Sequence, residues 1–193
     1  MLKIDAMPTR IEQFVTAPGF DFGEFFFMDA AGDPWSVQEG DGVDAVDVAH
    51  ARGEHVAFAN GIGVVLAPVQ CDFAARVVVE LWTARPEDTL DEDADDVAEL
   101  DIDLVGGLSL EAAGGGDPAT VPLPPGRYRM RVSGREFDAA LRWLDDEDSQ
   151  AAVDAAIDAG NNPPPGPACW VLRLWRRNAD TPPAALSVWQ HRA

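Results

Sequence analysis

A ten-residue stretch that starts with a proline corner and then alternates in polarity constrains the fold of this chain most. Residues 123–132 read Leu-Pro-Pro-Gly-Arg-Tyr-Arg-Met-Arg-Val. Two fixed φ angles followed by a glycine set a sharp turn at the entry. Three arginines, Arg127, Arg129 and Arg131, then alternate with apolar or aromatic residues. Because this period of two is typical of a β-strand with one dry and one wet face, the stretch predicts a half-buried strand.

A second stretch, residues 97–105, has the complementary pattern. Its acidic residues alternate with leucine and isoleucine, and they are Glu99, Asp101 and Asp103. If the two strands are neighbours, arginines and carboxylates form a cross-strand ladder worth about 0.2–1 kcal/mol per pair. The arginines could instead bind phosphates, since arginine forms bidentate contacts with them. We favour the ladder because the chain is acidic overall, and we expect a sheet with a charged outer surface.

Most of the remaining chain also has the composition of short strands joined by Gly/Pro turns. Asn60-Gly61 is a strong hairpin signal between two of them, and Gly106-Gly107 predicts a turn that pairs 97–105 with 108–112. The predicted strands are residues 20–27, 56–60, 62–67, 74–83, 97–105, 108–112, 127–132, 170–175 and 185–189. The sequence therefore predicts a mainly β fold, an antiparallel β-sandwich of about eight or nine strands with one or two short peripheral helices.

Helical segments are few, and the chain has no domain linker. Phe137, Leu141 and Leu144 recur at helical spacing, and Ser149 is a candidate N-cap for a helix that ends before Gly160. A short helix is also predicted within residues 37–52. We expect one β-rich domain over residues 1–193, with a lead-in at 1–18 and a helical, proline-rich insertion at 133–168 before two closing strands.

The charge of the chain limits the kinds of partner that it can bind. It carries 34 acidic and 14 basic residues, a formal net charge of −20. This sign disfavours nucleic acid and anionic membranes and steers the chain toward basic surfaces. Residues 1–126 hold 25 carboxylates and five basic side chains, whereas residues 127–193 hold nine of each. We therefore expect an acidic face that binds a basic protein partner.

The amino terminus and the cysteines predict a cytoplasmic protein. Residues 1–8 include an early aspartate and lack the apolar core of a signal peptide. No apolar run approaches the roughly 18 residues that suggest a membrane span. Cys71 and Cys169 both lie in apolar runs, which favours two buried thiols over a disulfide.

The motifs of catalysis and cofactor binding are missing from the sequence. The acidic run 91–96 resembles a calcium loop, but its sixth position is Asp96 where glycine is required, and its twelfth is Ile102 where glutamate is required. The three histidines have no zinc-ligand spacing with a cysteine. The chain has neither a Gly-x-Ser-x-Gly elbow nor a glycine-rich loop followed by lysine. We expect a protein without a cofactor or metal that is not an enzyme.

The order of several short motifs resembles the bacterial family of the competence-associated nuclease inhibitor, competence protein J. The similar features are an aromatic strand that ends in aspartate, a following tryptophan, a Gly-x-Gly-Val strand, a Val-rich strand, the acidic strand and the Leu-Pro-Pro-Gly-Arg-Tyr corner. They lie at residues 25–29, Trp35, 61–66, 77–82, 97–104 and 123–128, so the resemblance covers roughly residues 10–133. It implies a β-sandwich that binds and blocks a nuclease or toxin without performing chemistry.

These observations predict an acidic binding protein of inhibitor or immunity type. Its candidate partner-binding residues lie in two acidic runs, which are Glu87, Asp88, Asp91, Glu92, Asp93, Asp95 and Asp96 in the first and Asp145, Asp146, Glu147 and Asp148 in the second. Alternatively, both runs are solvated loops that only maintain solubility. A different class of function is a structural or ligand-binding sandwich module whose working surface is exposed tryptophan, at Trp170, Trp175 or Trp189.

Overall fold

The computed structural model describes residues 7–16, 19–20, 23–32, 45–67, 73–112, 118–161 and 164–177. Within these ranges the chain forms eleven strands, three α-helices and one 3-10 helix. The strands are β1 (Arg10–Thr16), β2 (Gly19–Phe20), β3 (Glu24–Asp29), β4 (Val56–Ala59), β5 (Ile62–Leu66), β6 (Phe73–Trp82), β7 (Asp96–Leu104), β8 (Leu108–Ala112), β9 (Ala119–Val121), β10 (Gly126–Arg135) and β11 (Pro165–Arg176). The helices are α1 (Ala45–Arg52), the 3-10 helix (Asp88–Asp91), α2 (Phe137–Leu144) and α3 (Glu147–Asp158).

The strands form two sheets, which confirms the predicted mainly β sandwich. The six-stranded sheet has the order β1-β6-β11-β10-β7, with β2 also paired with β6, and the five-stranded sheet has the order β4-β5-β3-β8-β9. Strands β1, β2 and β9 were not predicted, so the strand number exceeds the expected eight or nine. Strand β11 runs parallel to β6, which is the one departure from an antiparallel arrangement among the described strand pairs. The second predicted closing strand, residues 185–189, lies outside the described residues.

Side chains from both sheets meet in one apolar core. Phe25 and Phe27 of β3 lie in the same cluster as Met130 of β10 and Trp170 of β11, and all four are 0% exposed. Burial of a large apolar side chain stabilises the fold by about 1.5–3 kcal/mol. Tyr128 is the polar member of this core, and its hydroxyl donates a hydrogen bond of 2.5 Å to the carbonyl oxygen of Pro124. This bond fixes the proline corner to the strand that follows it.

The predicted pairing of the arginine strand with the acidic strand is confirmed. In the antiparallel register of β10 and β7, Arg127 lies opposite Asp103 and Arg129 lies opposite Asp101. Arg131, the third arginine, lies opposite Glu99. The apolar residues between them enter the core, as period-two alternation requires. The arginines therefore face away from the core, on the outer surface of the six-stranded sheet.

The predicted hairpin and helices are also present. Asn60 and Gly61 have φ angles of 52° and 84°, and two successive residues with positive φ are what a tight two-residue hairpin turn needs. Helix α1 falls within the predicted segment 37–52, and α2 begins at the predicted Phe137. Helix α3 is capped by Asp146, whose side chain accepts a hydrogen bond of 3.0 Å from the backbone NH of Ser149, so the prediction of Ser149 as N-cap was wrong. No helix in the described residues is long and apolar enough to cross a membrane.

The prediction that β8 pairs with β7 was wrong, because the chain changes sheets between them. Strand β8 pairs with β3 and β9 in the five-stranded sheet. Asp29 at the end of β3 holds the connection: its Oδ1 accepts hydrogen bonds of 2.9 Å and 2.7 Å from the backbone NH groups of Val105 and Gly106. A Cβ at Gly106 would lie 2.6 Å from the nitrogen of Ala31. Gly106 thus lets the chain pass close to Ala31 as it crosses from one sheet to the other, and the Gly-Gly pair does not form a hairpin turn.

The amino-terminal lead-in predicted at 1–18 contains an edge strand. Strand β1 pairs antiparallel with β6, with Phe14 opposite Val79. Phe14 packs against the core, whereas Ile11 is 55% exposed. Phe14 therefore anchors this strand to the core, and Ile11 does not.

Candidate functional site

A row of four charged side chains crosses the outer face of the six-stranded sheet. In register, Glu80 on β6 lies beside Arg173 on β11, Arg173 lies opposite Arg131 on β10, and Arg131 lies opposite Glu99 on β7. The row therefore reads acidic, basic, basic, acidic. Like charges directly opposite each other on neighbouring strands are destabilising. The central arginine pair consequently needs a carboxylate from outside the sheet.

Asp91 of the 3-10 helix supplies that carboxylate. Its Oδ2 accepts a hydrogen bond of 3.2 Å from Nη1 of Arg131, and its Oδ1 accepts one from Nη1 of Arg173. Nη2 of Arg135 lies 3.8 Å from the same Oδ1. The side chain of Asp91 is only 6% exposed. One carboxylate from the connecting segment thus forms ion pairs with two adjacent buried arginines.

The sheet carboxylates complete the coordination of both guanidinium groups. Arg131, whose side chain is 3% exposed, also donates to Glu99 at 2.5 Å and to Asp88 at 2.7 Å. Arg173 donates from Nε to Glu80 at 3.0 Å and from Nη1 to the hydroxyl oxygen of Ser133 at 3.1 Å. We call the connected set of ion pairs the inner ion network, which consists of Arg10, Arg85, Arg131, Arg135, Arg173, Glu80, Asp88, Asp91 and Glu99.

The acidic segment 85–96 is held against the sheet along its whole length. Arg135 donates from Nη2 to the carbonyl oxygen of Leu90. The backbone NH of Asp95 donates to the carbonyl of Gly134 at 2.9 Å, and Oδ2 of Asp95 accepts from the NH of Phe137 at 2.9 Å. The predicted loop is therefore an ordered strap over the arginine face, and we call residues 85–96 the acidic strap.

The structure separates the seven predicted binding residues of this run into two groups. Asp88 and Asp91 belong to the inner ion network, and Asp96 is 1% exposed at the start of β7. The other four side chains are exposed to solvent, and they are Glu87, Glu92, Asp93 and Asp95. Because the connection from Asp95 to Phe137 brings this group to the first turn of α2, exposed Glu136 and Asp138 lie beside it. We call these six residues the outer acidic surface.

Sequence reasoning missed Glu136 and Asp138. Both fall in the segment treated as a peripheral insertion, and neither lies in an acidic run. Glu136 has a φ angle of 63°, a left-handed conformation that costs a residue other than glycine about 1–2 kcal/mol. This strained residue turns the chain from β10 into α2 directly beside the acidic strap, and non-glycine residues in this conformation cluster at functional sites.

The second predicted acidic run lies at the other end of α2. Its four residues, Asp145, Asp146, Glu147 and Asp148, are exposed. At 1.5 Å per residue, the eight residues of α2 separate this run from the outer acidic surface by about 12 Å. The hydrogen bonds from the side chain and backbone NH of Ser149 lower the pKa of Asp146, as its capping role requires. Three of the four carboxylates remain outside this capping interaction.

Burial and charge shift two pKa values in the inner ion network. Burial by itself raises the pKa of Asp88, but the hydrogen bond and charge of Arg131 and the charge of Arg85 outweigh it and lower the pKa below its usual value. Burial by itself also lowers the pKa of Arg131, but its hydrogen bonds to Glu99, Asp91 and Asp88 raise it further. Both shifts favour the charged forms of Asp88 and Arg131.

Three side chains that could have been reactive or binding groups, Trp170, Trp175 and Cys169, are buried or half-buried. Trp170 and Trp175 are 0% and 6% exposed, which contradicts the alternative of an exposed tryptophan surface at these two positions. Trp189 lies outside the described residues, as does Cys71. Burial raises the pKa of Cys169, which makes its thiol a poor nucleophile at neutral pH. No group of three or more His, Cys, Asp or Glu residues suited to a metal ion occurs in the described ranges.

Comparisons with known proteins identify the fold. No protein-family model matches the chain, and no curated protein matches it in sequence. The structure is similar to that of ComJ from Bacillus subtilis, an inhibitor of the DNA degrading activity of NucA, with a TM-score of 0.52 and 12% identity over 89% of this chain and 100% of that chain. It is also similar to crocagin biosynthetic gene J, with a TM-score of 0.51 and 16% identity over 87% of this chain and 100% of the other.

These two similarities confirm the resemblance that the sequence motifs suggested, at the level of the fold. Both span most of this chain and the whole of the other.

Proposed function

We propose that this protein is a non-catalytic inhibitor that binds a basic nuclease or a related toxin through its outer acidic surface. The observation that carries the proposal is the joining of the acidic strap to the first turn of α2, which groups six exposed carboxylates on a fold that a known nuclease inhibitor shares. A nuclease presents cationic groups to the phosphates of its substrate. An acidic surface of this size competes for the same groups.

The electrostatics favour this mode of action. The chain has a net charge of −20, so it attracts a basic partner over the Debye length of about 8 Å at physiological salt. Steering of this kind raises association rates and makes them fall with ionic strength. The exposed carboxylates of the second run, about 12 Å away along α2, extend the same surface. A cytoplasmic inhibitor of this type meets its target where cellular nucleic acid is exposed to it.

The test combines capture with inhibition. The full chain is immobilised, exposed to lysate of the source organism at low salt and eluted with a salt gradient. Each captured basic protein is then purified and assayed for degradation of fluorescent DNA and RNA, with and without the chain. The proposal expects at least one captured nuclease whose activity falls to background at about one equivalent of the chain. If no captured protein degrades nucleic acid, or if the chain leaves the degradation unchanged, the proposal is wrong.

A matched pair of double variants locates the binding surface. Glu92→Gln with Asp93→Asn removes two charges from the outer acidic surface, and Asp154→Asn with Asp158→Asn removes two from exposed positions of α3. Because rim charges act mainly on association, the first variant should slow binding about tenfold at low salt and flatten its salt dependence. The control should change the association rate much less. Equal effects would show that only the net charge matters and not this surface.

A further inference from the structure

We propose that Asp91 is a positioning residue that holds the acidic strap in its binding conformation and does not itself contact the partner. This inference rests on the proposed function, since it assigns a role within the same surface. The sequence places Asp91 among equivalent carboxylates. The structure assigns its two oxygens to the guanidinium groups of Arg131 and Arg173, and its side chain is 6% exposed.

The arrangement explains why the position needs a carboxylate. Arg131 and Arg173 lie opposite each other on neighbouring strands, and Glu99 and Glu80 pair with them only from the outer sides of the row. Asp91 lies across the central pair and contacts both. Without its charge, the two like charges face each other in a buried site, and the 3-10 helix loses one of the contacts that tie it to the sheet.

The inner ion network adds no net negative charge to the surface beneath the strap. Its five guanidinium groups outnumber its four carboxylates. The long-range negative potential of the strap therefore comes from the outer acidic surface. Asp91 affects binding through the positions of Glu92 and Asp93, which follow it directly. It also acts through the position of Asp95, whose side chain accepts a hydrogen bond from the NH of Phe137.

The strap carries its own reporters of order. The backbone NH of Asp95 donates to the carbonyl of Gly134 at 2.9 Å, and the backbone NH of Phe137 donates to Oδ2 of Asp95 at 2.9 Å. Both hydrogen bonds break if the strap lifts from the sheet. Amide hydrogen exchange at Asp95 and Phe137 thus measures the lifting equilibrium directly and does not need a partner.

The experiment compares Asp91→Asn with Asp93→Asn in the full chain. The two substitutions remove the same charge from the same strap, one from a buried clamp and one from an exposed position. We expect Asp91→Asn to accelerate exchange at Asp95 and Phe137 at least about tenfold, whereas Asp93→Asn leaves it unchanged. With the nuclease identified by capture, Asp91→Asn should raise the dissociation rate about tenfold at an unaltered salt slope. Asp93→Asn should lower the association rate and the slope.

Each outcome decides one of the two proposals. A chain that inhibits no nuclease refutes the proposed function, and the exchange comparison then still decides whether Asp91 clamps the strap. Equal exchange in both variants, or a reduced salt slope for Asp91→Asn, refutes the positioning role. If Asp91→Asn does not fold, Asp88→Asn takes its place. Asp88 also pairs with Arg131, but its side chain is 71% exposed, so we expect a smaller acceleration of exchange at Asp95.

Discussion

The three arginines of β10 provide a graded test of how burial sets the worth of an ion pair. They lie on one strand, have the same residue type, and each faces a carboxylate of β7. Their side chains are 64%, 14% and 3% exposed at Arg127, Arg129 and Arg131. Replacing each in turn with methionine removes the charge and keeps most of the side-chain volume. Differences within this series therefore report burial and partner number.

The structure predicts the size of each loss in the free energy of unfolding. Arg127→Met breaks an exposed pair and should cost at most about 0.5 kcal/mol. Arg129→Met leaves Asp101 with its second partner, Arg177, at 2.9 Å, and should cost about 1–2 kcal/mol. Arg131→Met removes one arginine from three carboxylates, of which Asp91 is buried, and the loss of one partner from a buried pair typically costs about 3–5 kcal/mol. We expect about 3 kcal/mol because each of these carboxylates keeps at least one other arginine.

Urea denaturation followed by circular dichroism measures the series. A loss of about 3 kcal/mol leaves a domain of ordinary stability folded, since domains of this size are stable by about 5–15 kcal/mol. The midpoints should fall in the order of burial at a constant m-value. If Arg131→Met is as mild as Arg127→Met, the inner ion network contributes nothing beyond a surface pair, and the reasoning from burial is wrong.

Three further predictions concern individual groups. Arg131 helps to lower the folded pKa of Asp88 below 3.8. This carboxylate therefore stabilises the fold above that pH, and the stabilisation is lost as the pH falls through the folded pKa. In urea titrations between about pH 6 and pH 3, the Arg131→Met variant should lose less stability than the wild type. Tyr128→Phe removes the hydrogen bond to Pro124 and should cost about 1 kcal/mol by the same assay, and no change would contradict the role of the corner. Burial raises the pKa of Cys169. In a variant in which Cys71 is replaced, the Cys169 thiol should therefore react with a disulfide reagent at least about tenfold faster in urea than in the native state.

The sequence was sufficient to predict structure where the residue pattern of one strand pair determines how the two strands align. The period-two patterns of β7 and β10 predicted both the strands and, for neighbouring strands, a ladder of arginines and carboxylates, because a shift by one residue would turn every charge into the core. Local turn chemistry was equally informative at Asn60-Gly61. Helix α2 was predicted from the spacing of its apolar residues, which is set by one face of one helix.

Features that depend on contacts between distant segments were not predictable in this way. The change of sheets after β7 depends on Asp29, a residue more than 70 positions earlier, which accepts the NH groups of Val105 and Gly106. From the sequence alone, Gly106-Gly107 has the same appearance as a hairpin turn. Likewise, nothing local distinguishes buried Asp91 from exposed Asp93, because the difference comes from Arg173 on a strand 82 residues away.

The charge asymmetry of the chain has a different meaning in the folded protein than in the sequence. The nearly neutral carboxyl-terminal part contributes six arginines, which lie on β10, on β11 or directly after β11. These arginines pair with carboxylates from the acidic amino-terminal part. They are Arg127, Arg129, Arg131, Arg135, Arg173 and Arg177. Much of the predicted acidic face is therefore neutralised inside the molecule, on the outer side of one sheet. The strap also carries four carboxylates whose residues are exposed to solvent, Glu87, Glu92, Asp93 and Asp95, so part of the acidic face stays at the surface, with Asp95 beside the start of α2.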